Sequence, residues 1–119
     1  GQGGDLNGAP LRVSSVDDPG QAVLATGFPT GRSYEPEDLA QFVSKVRRFK
    51  KIRMIGAAAM SLAYVAQGTW ELYHEENVFL WDVAAGLALV KAAGGKVFCS
   101  ELSSAGTFTV TASNGKIAL

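Results

Sequence analysis

The chain of 119 residues has room for one compact domain, and its 47% hydrophobic and 18% charged residues predict a folded core. Its formal net charge of zero argues against broad electrostatic binding to nucleic acid or to an anionic membrane, and no apolar run reaches membrane-spanning length. The basic run at 45–51 is interpreted as a solvated helix face or, alternatively, as a patch for a polyanion. The single cysteine, Cys99, excludes an intrachain disulfide, so we expect a reducing, cytoplasmic location, with Cys99 buried in a strand.

The first part of the chain predicts a hairpin, a buried strand and an amphipathic helix. The stretch GQGGDLNGAPLRVSS contains turn residues followed by a short candidate strand, LRVSS. An apolar run at 21–28 predicts a buried strand. Residues 35–49 predict a helix, because Pro36 suits a first turn, acids precede bases, and apolar residues recur at helical spacing.

The rest of the chain alternates strands with helices. Its predicted elements are a strand at 51–56, a helix at 57–68 closed by Gly68, a strand at 70–76, a helix at 80–95 stopped by two glycines, and the strands KVFCSE and TFTVTAS. The final NGKIAL predicts a turn followed by the start of a further helix. This order predicts an α/β fold in which helices cover a mixed, mostly parallel sheet, with residues 1–119 forming a single domain.

Two acids near the last predicted helix are the main candidates for chemistry. Asp82 stands at the head of LWDVAAGLALVKAAGG. It is either a first-turn acid, stabilised by ~0.3–1 kcal/mol through the helix dipole, or a ligand of a hard cation such as Mg²⁺. One carboxylate cannot hold that ion alone, so a metal site requires further acids nearby. Glu75 ends the preceding strand and is either a ligand contact at the edge of the sheet or an exposed strand-end acid.

Three other segments allow a structural and a functional interpretation. At Gly56, Ala57 and Ala58 the small side chains permit either close helix packing or approach of a ligand to the backbone. The loop 26–32 carries hydroxyls, glycines and an arginine that suit phosphate, although many loops of this kind look similar. His74 is interpreted as a hydrogen-bonded strand residue rather than a general base.

Several segments together resemble the C-terminal half of the inositol monophosphatase family, in order and in spacing. They are GQGGDLNGAPLRVSS, VLATGFPTGR, IRMIGAAAMSLAYVAQG, WELYHEE and LWDVAAGLALVKAAGGKV, and the most specific feature is Trp81-Asp82 followed by AAG and then GG. The resemblance implies the C-terminal half of a layered α-β-α-β-α sugar-phosphatase fold. It also implies a Mg²⁺-dependent, Li⁺-sensitive phosphomonoesterase whose substrate is an inositol phosphate or a related sugar or nucleotide phosphate.

The resemblance also implies roles for individual residues. Asp82 is similar to a metal-ligand aspartate of the family, and Glu75 to a position that contacts substrate hydroxyls. The other positions similar to substrate-contacting positions are Gly56, Ala57 and Ala58 at a helix start, and Thr30 in the loop after the first strand. No residue of the chain is similar to a catalytic residue beyond these.

The chain also departs from the family pattern. The acidic GEE-like and DPIDGT-like segments that carry the other metal ligands do not occur in it, so we expect the N-terminal metal-binding half to be absent and the isolated chain to be inactive. Ala57 and Ser61 stand where the pattern has a serine and an acid, which indicates an atypical member or altered specificity. We expect a homodimer or association with an N-terminal half. The alternative is a non-catalytic scaffold or oligomerisation module that retains the fold.

Overall fold

A computed structural model describes residues 5–6, 9–27 and 35–119 of the chain. The strands are β1 (Asp5–Leu6), β2 (Ala9–Pro10), β3 (Val23–Thr26), β4 (Lys51–Arg53), β5 (Leu72–Val78), β6 (Lys96–Cys99) and β7 (Phe108–Ser113). The helices are α1 (Pro36–Val46), α2 (Ala58–Ala66) and α3 (Leu80–Ala92). β1 pairs with β2 as the predicted antiparallel hairpin, whereas LRVSS is irregular and forms no strand.

The main sheet of the described residues has five strands in the order β4-β3-β5-β7-β6. β3 is parallel to both β4 and β5, and β7 is antiparallel to both β5 and β6. Only β7 therefore runs against the other four strands of this sheet. The predicted mixed, mostly parallel sheet with covering helices is confirmed. The parallel strands β3, β4 and β5 all end at one edge, where the candidate residues are found.

One face of the sheet is covered by α2 and α3, and the main core lies beneath them. The buried helix residues at this interface are Leu62, Val65 and Ala66 in α2 and Val83, Leu87 and Val90 in α3. They pack on strand residues of the same cluster, among them Ala25, Tyr73, Val110 and Ala112. Since burial of one large aliphatic side chain contributes ~1.5–3 kcal/mol, this layer supplies much of the stability. It also fixes the helix N-termini relative to the strand ends.

The other face carries a smaller cluster and less cover. Leu24, Leu72, Phe49 and Ile117 are buried in it. The predicted first helix is present as α1, but none of its residues is buried, and Val43 is 53% exposed. The basic run at 45–51 begins in the last turn of α1 and continues beyond it, and its lysines and arginines are exposed, which is compatible with both interpretations of this run.

Two expectations are wrong. Cys99 is exposed, because β6 is an edge strand, where an apolar sequence does not guarantee cover on either side. No helix begins after β7. Instead Asn114 closes a turn: its Nδ2 donates to the carbonyl of Val16 at 2.7 Å, and its Oδ1 accepts from the backbone N–H of Lys116 at 3.0 Å. This turn carries Ile117 back into the smaller cluster.

Within the described ranges, none of the helices combines the length and the apolar character needed to cross a bilayer.

Candidate functional site

The N-termini of α2 and α3 open onto one cleft at the edge where the parallel strands end. The cleft has a volume of about 500 Å³. It is lined by Gly56, Ala58 and Ala59 from the start of α2, and by Glu75, Asn77, Val78, Phe79 and Asp82 from the end of β5 and the start of α3. Helix N-termini present unpaired N–H groups and a positive dipole end, so this geometry suits an anion.

Four of the predicted site residues therefore meet in one place. Gly56, Ala58, Glu75 and Asp82 all line the cleft. Ala57 is the N-cap residue of α2 and lies between two lining residues without lining the cleft itself. The predicted Thr30 lies outside the described residues, as does most of the loop 26–32.

Gly56 has a backbone conformation that explains why a glycine stands there. Its φ is +70°, in the left-handed region, and no atom lies within 4 Å of the position that a Cβ would take. The requirement for glycine is thus conformational rather than steric. The turn it makes lets the chain leave β4 and enter α2 with the first helical amides at the cleft.

Asp82 lies in the first turn of α3, and its backbone N–H donates to the carbonyl of Phe79 at 3.0 Å. The side chain is exposed and lines the cleft opposite the α2 N-terminus. Phe79 is the N-cap of α3 and makes no side-chain cap, and its ring stacks on Trp81 with centroids 4.5 Å apart. Asp82 is thus a first-turn acid that also lines the cleft, and its role as a metal ligand stays a prediction.

Glu75 is joined to a buried tyrosine that the sequence did not single out. The hydroxyl of Tyr73 donates to Oε1 of Glu75 at 2.7 Å, and Tyr73 is 1% exposed. Burial raises the pKa of Tyr73 above its ordinary value, and the hydrogen bond to Glu75 and the charges of Glu75 and Asp82 raise it further. Both acids of the cleft therefore act on the buried tyrosine. The spacing of two along a strand, which places Tyr73 and Glu75 on one face, was the available signal.

A β-bulge shapes the end of β5. Glu75 pairs with Val110 and Val78 pairs with Phe108, so three steps along β5 match two steps along β7. Asn77 lies within the bulge with a φ of 56°, and its Oδ1 accepts a hydrogen bond from Oγ1 of Thr107 at 3.2 Å. Because of this extra residue, Val78 lies on the same helix-covered face of the sheet as Tyr73 and belongs to the main core. The end of β5 therefore lines the cleft and still contributes a side chain to the core.

His74 is not part of this cleft. It lies on the opposite face of β5, beneath α1, and its Nδ1 shares a hydrogen bond with Oγ1 of Thr111 at 2.9 Å. The interpretation as a hydrogen-bonded strand histidine is confirmed.

The described residues do not form a metal site by themselves. Among the residues that the structure describes, no group of three or more His, Cys, Asp or Glu side chains is placed to hold a metal ion. Carboxylates are the ligands that Mg²⁺ prefers, and Asp82 offers one beside Glu75. The donors in the described ranges do not complete a metal centre, and the chain therefore needs further ligands for any chemistry that depends on a metal.

The fold and cleft define an α/β protein in which helices cover a mixed sheet, and comparison with known proteins gives the family. The chain matches the inositol monophosphatase family over residues 1–118. It belongs to this family.

Its relatives include proteins with two different names. The chain is 41% identical over 101 residues to the Nus factor SuhB of Pseudomonas aeruginosa, covering 82% of this chain and 37% of that protein. It is 35% identical over 88 residues to the inositol-1-monophosphatase of Caulobacter vibrioides, covering 73% of this chain and 34% of that protein. The structure of the inositol monophosphatase from Anabaena superposes with a TM-score of 0.81 at 34% identity, over 98% of this chain and 47% of that one. The chain thus spans less than half the length of these relatives.

Proposed function

We propose that this chain forms one wall of the active-site cleft of a Mg²⁺-dependent phosphomonoesterase. The substrate is an inositol phosphate or a related sugar or nucleotide phosphate. The observation that carries the proposal is the convergence of Asp82, Glu75 and the N-terminus of α2 on one cleft. Family membership and the name of the Caulobacter relative support it.

Within this proposal each side of the cleft has a distinct task. Asp82 is a metal ligand, held by the first turn of α3. Glu75 accepts hydrogen bonds from substrate hydroxyls, because a carboxylate is a pure acceptor when it is ionised. Gly56, Ala57 and Ala58 let the substrate approach the helix-start backbone, and Thr30 adds a hydroxyl on the substrate side. Bound Mg²⁺ would supply charge neutralisation and an activated water, and Li⁺ would inhibit by competing at the same centre.

The proposal includes inactivity of the chain on its own. Asp82 and Glu75 provide too few oxygen ligands for the cation, so the other ligands come from an N-terminal half that packs against this one. Its contact surface would include the exposed apolar side chains near the starts of α2 and α3, where Met60 is 52%, Leu80 57% and Trp81 77% exposed. A homodimer of the completed protein in a reducing cytoplasm belongs to the same proposal.

A chimera tests this function directly. The N-terminal part of the Caulobacter inositol-1-monophosphatase is joined to this chain, and hydrolysis of inositol monophosphate is measured with and without Mg²⁺. We expect Mg²⁺-dependent turnover by the chimera and none by the isolated chain. Asp82→Asn should lower turnover by about a hundredfold or more, since a neutral amide is a weak Mg²⁺ ligand.

The matched control is Asp17→Asn, the same chemical change at an exposed residue outside the cleft. A folded chimera that hydrolyses nothing, or one in which the two variants are equally active, would refute the proposal. Robust turnover by the isolated chain would refute the claim that its ligand set is incomplete.

The exposed apolar surface favours a second candidate, a non-catalytic scaffold or oligomerisation module. Trp81 and Leu80 would then bury themselves against a second copy of the chain. Sedimentation of the isolated chain distinguishes the two roles when combined with the chimera. A stable oligomer that is lost in Trp81→Ser, together with an inactive chimera, supports the scaffold. A monomer excludes it.

A further inference from the structure

The two carboxylate oxygens of Glu75 have different surroundings: Oε1 is hydrogen-bonded, and Oε2 lies in the space left by the missing side chain of Gly27. Oε1 accepts the hydrogen bond from the Tyr73 hydroxyl at 2.7 Å. Oε2 lies against Gly27, the residue after β3, so closely that a Cβ at Gly27 would be 3.1 Å from Oε2 and 3.5 Å from Cδ. Glu75 is half-buried, with Tyr73 of its own strand on one side of the carboxyl group and Gly27, the residue after β3, near the other.

Tyr73 is itself held rigidly. In the sheet it pairs with Ala25 on one side and Ala112 on the other, and both alanines are fully buried. Their small side chains leave room for the phenol ring under α2 and α3. A tyrosine has two side-chain torsions, and a buried phenol requires a hydrogen-bond partner, so the hydroxyl has little freedom to leave Glu75.

Gly27 contributes by the absence of a side chain. Its φ lies outside the left-handed region, so the backbone there accepts any residue. A larger residue would instead fill the space beside Oε2 of Glu75. Its Cβ would be 3.1 Å from Oε2, closer than a methyl group normally approaches an oxygen. The missing side chain at Gly27 therefore leaves the space that Oε2 occupies, and a Cβ there would require the carboxylate to shift.

We propose that Tyr73 and Gly27 are positioning residues that hold the Glu75 carboxylate in one orientation at the cleft, so that its remaining acceptor positions receive hydroxyls of a polyol phosphate. An ionised carboxylate has about four acceptor positions, and Tyr73 occupies one of them. A fixed acceptor loses less side-chain entropy when a ligand binds, which is the advantage of preorganisation. The choice of ligand rests on the proposed function. The arrangement of Tyr73 and Gly27 around Glu75 lies within this chain and does not depend on that function.

The orientation of Glu75 is measurable in the 119-residue chain without any activity. Three-bond NMR couplings across its Cα–Cβ and Cβ–Cγ bonds report whether one rotamer or an average is present. We expect a single rotamer in the wild-type chain, averaging in Tyr73→Phe, and a changed rotamer in Gly27→Ala. Tyr64→Phe alters a tyrosine whose ring is tilted against Trp70, and Gly20→Ala adds a Cβ at an ordinary 3.4 Å from Asp18, so both should match the wild type.

The chimera provides the readout that depends on function. Tyr73→Phe should raise KM about fivefold with kcat changed less than twofold, because it frees an acceptor that binds the ligand and leaves the metal ligand in place. Wild-type couplings in both Tyr73→Phe and Gly27→Ala overturn the positioning role, whatever the chimera does. The remaining outcome combines two results: Glu75 has a single rotamer in the wild-type chain and averages in Tyr73→Phe, but the chimera is folded and inactive. That outcome supports the positioning role and refutes the phosphatase function.

Discussion

Gly86 of α3 lies directly against Leu62 of α2. A Cβ at Gly86 would be 2.6 Å from both Cβ and Cδ1 of Leu62, a separation that carbon atoms do not tolerate. The absence of a side chain at this one position lets the two helices pack closely, and their N-termini consequently share a cleft.

Gly86→Ala should therefore destabilise the protein. Alanine is the better helix former by ~0.5–1 kcal/mol, but overpacking a buried contact costs ~1–3 kcal/mol, and Leu62 is fully buried with no space to move. We expect a net loss of about 1–2 kcal/mol in the free energy of unfolding, measured by urea denaturation. Combining it with Leu62→Ala should cost less than the sum of the two single changes, because the clash disappears. Additive costs would contradict the contact.

Ala57→Ser should stabilise the protein. Ala57 is the N-cap of α2, has extended φ and ψ, and offers no side-chain acceptor to the first-turn N–H groups. A serine there should add about 0.5–1.5 kcal/mol to the free energy of unfolding. Ala59→Ser makes the same chemical change inside the helix and should bring no gain. Equal effects of the two variants on thermal unfolding would exclude a capping role.

Tyr73 should stay protonated at a pH where an ordinary tyrosine, with a pKa near 10, has ionised. Ultraviolet absorbance of tyrosinate measures this. Glu75→Gln should lower the pKa of Tyr73, yet leave it above its ordinary value, because burial is the largest cause of the shift.

Stability follows from the same shift. The folded protein retains the Tyr73 proton while the unfolded chain loses it, so the free energy of unfolding should fall as the pH rises above about 10. Tyr73→Phe should make that decline shallower. An unchanged alkaline slope in this variant would contradict the raised pKa.

Asn114→Ala should be among the costlier polar substitutions in the chain. Asn114 is 4% exposed, and its removal leaves the Val16 carbonyl and the Lys116 N–H without their partner. We expect a loss of about 2–3 kcal/mol in urea denaturation. Asn114→Asp keeps the acceptor oxygen but turns a carboxylate oxygen towards the Val16 carbonyl in a buried site, so it should cost at least as much as alanine near neutral pH. An aspartate variant as stable as the wild type would refute the donor role of Asn114.

Local patterns in the sequence predicted the helices and strands well where they depend on neighbours along the chain. Pro36 begins α1, Gly68 follows α2, and the two glycines at 94–95 follow α3. The two acids of the cleft, Glu75 and Asp82, were also predicted, although β5 continues three residues beyond Glu75, which was expected near the end of the strand. Local patterns gave the wrong result at residues 117–119, where a helix was expected to start. Ile117 is instead buried against residues distant in sequence, among them Leu24 and Leu72.

Other features of the cleft could not be found along the chain. Tyr73 matters because the register of β5 with β3 and β7 places it between two alanines, and Gly27 matters because β3 lies beside β5. Asn77 matters through a bulge that exists only in the pairing with β7. Cys99 is exposed because β6 is outermost in the sheet, a fact of strand order.

The amino-acid sequence by itself determined the alternation of strands and helices, the start of each helix and the acids at those starts, because hydrophobic period and capping act over a few residues. The tertiary structure alone decided which helix ends meet, which oxygen of Glu75 is held and by what, and which apolar residues stay exposed. Those outcomes depend on strand order and register, which are set by contacts between segments as far apart as Gly27 and Glu75.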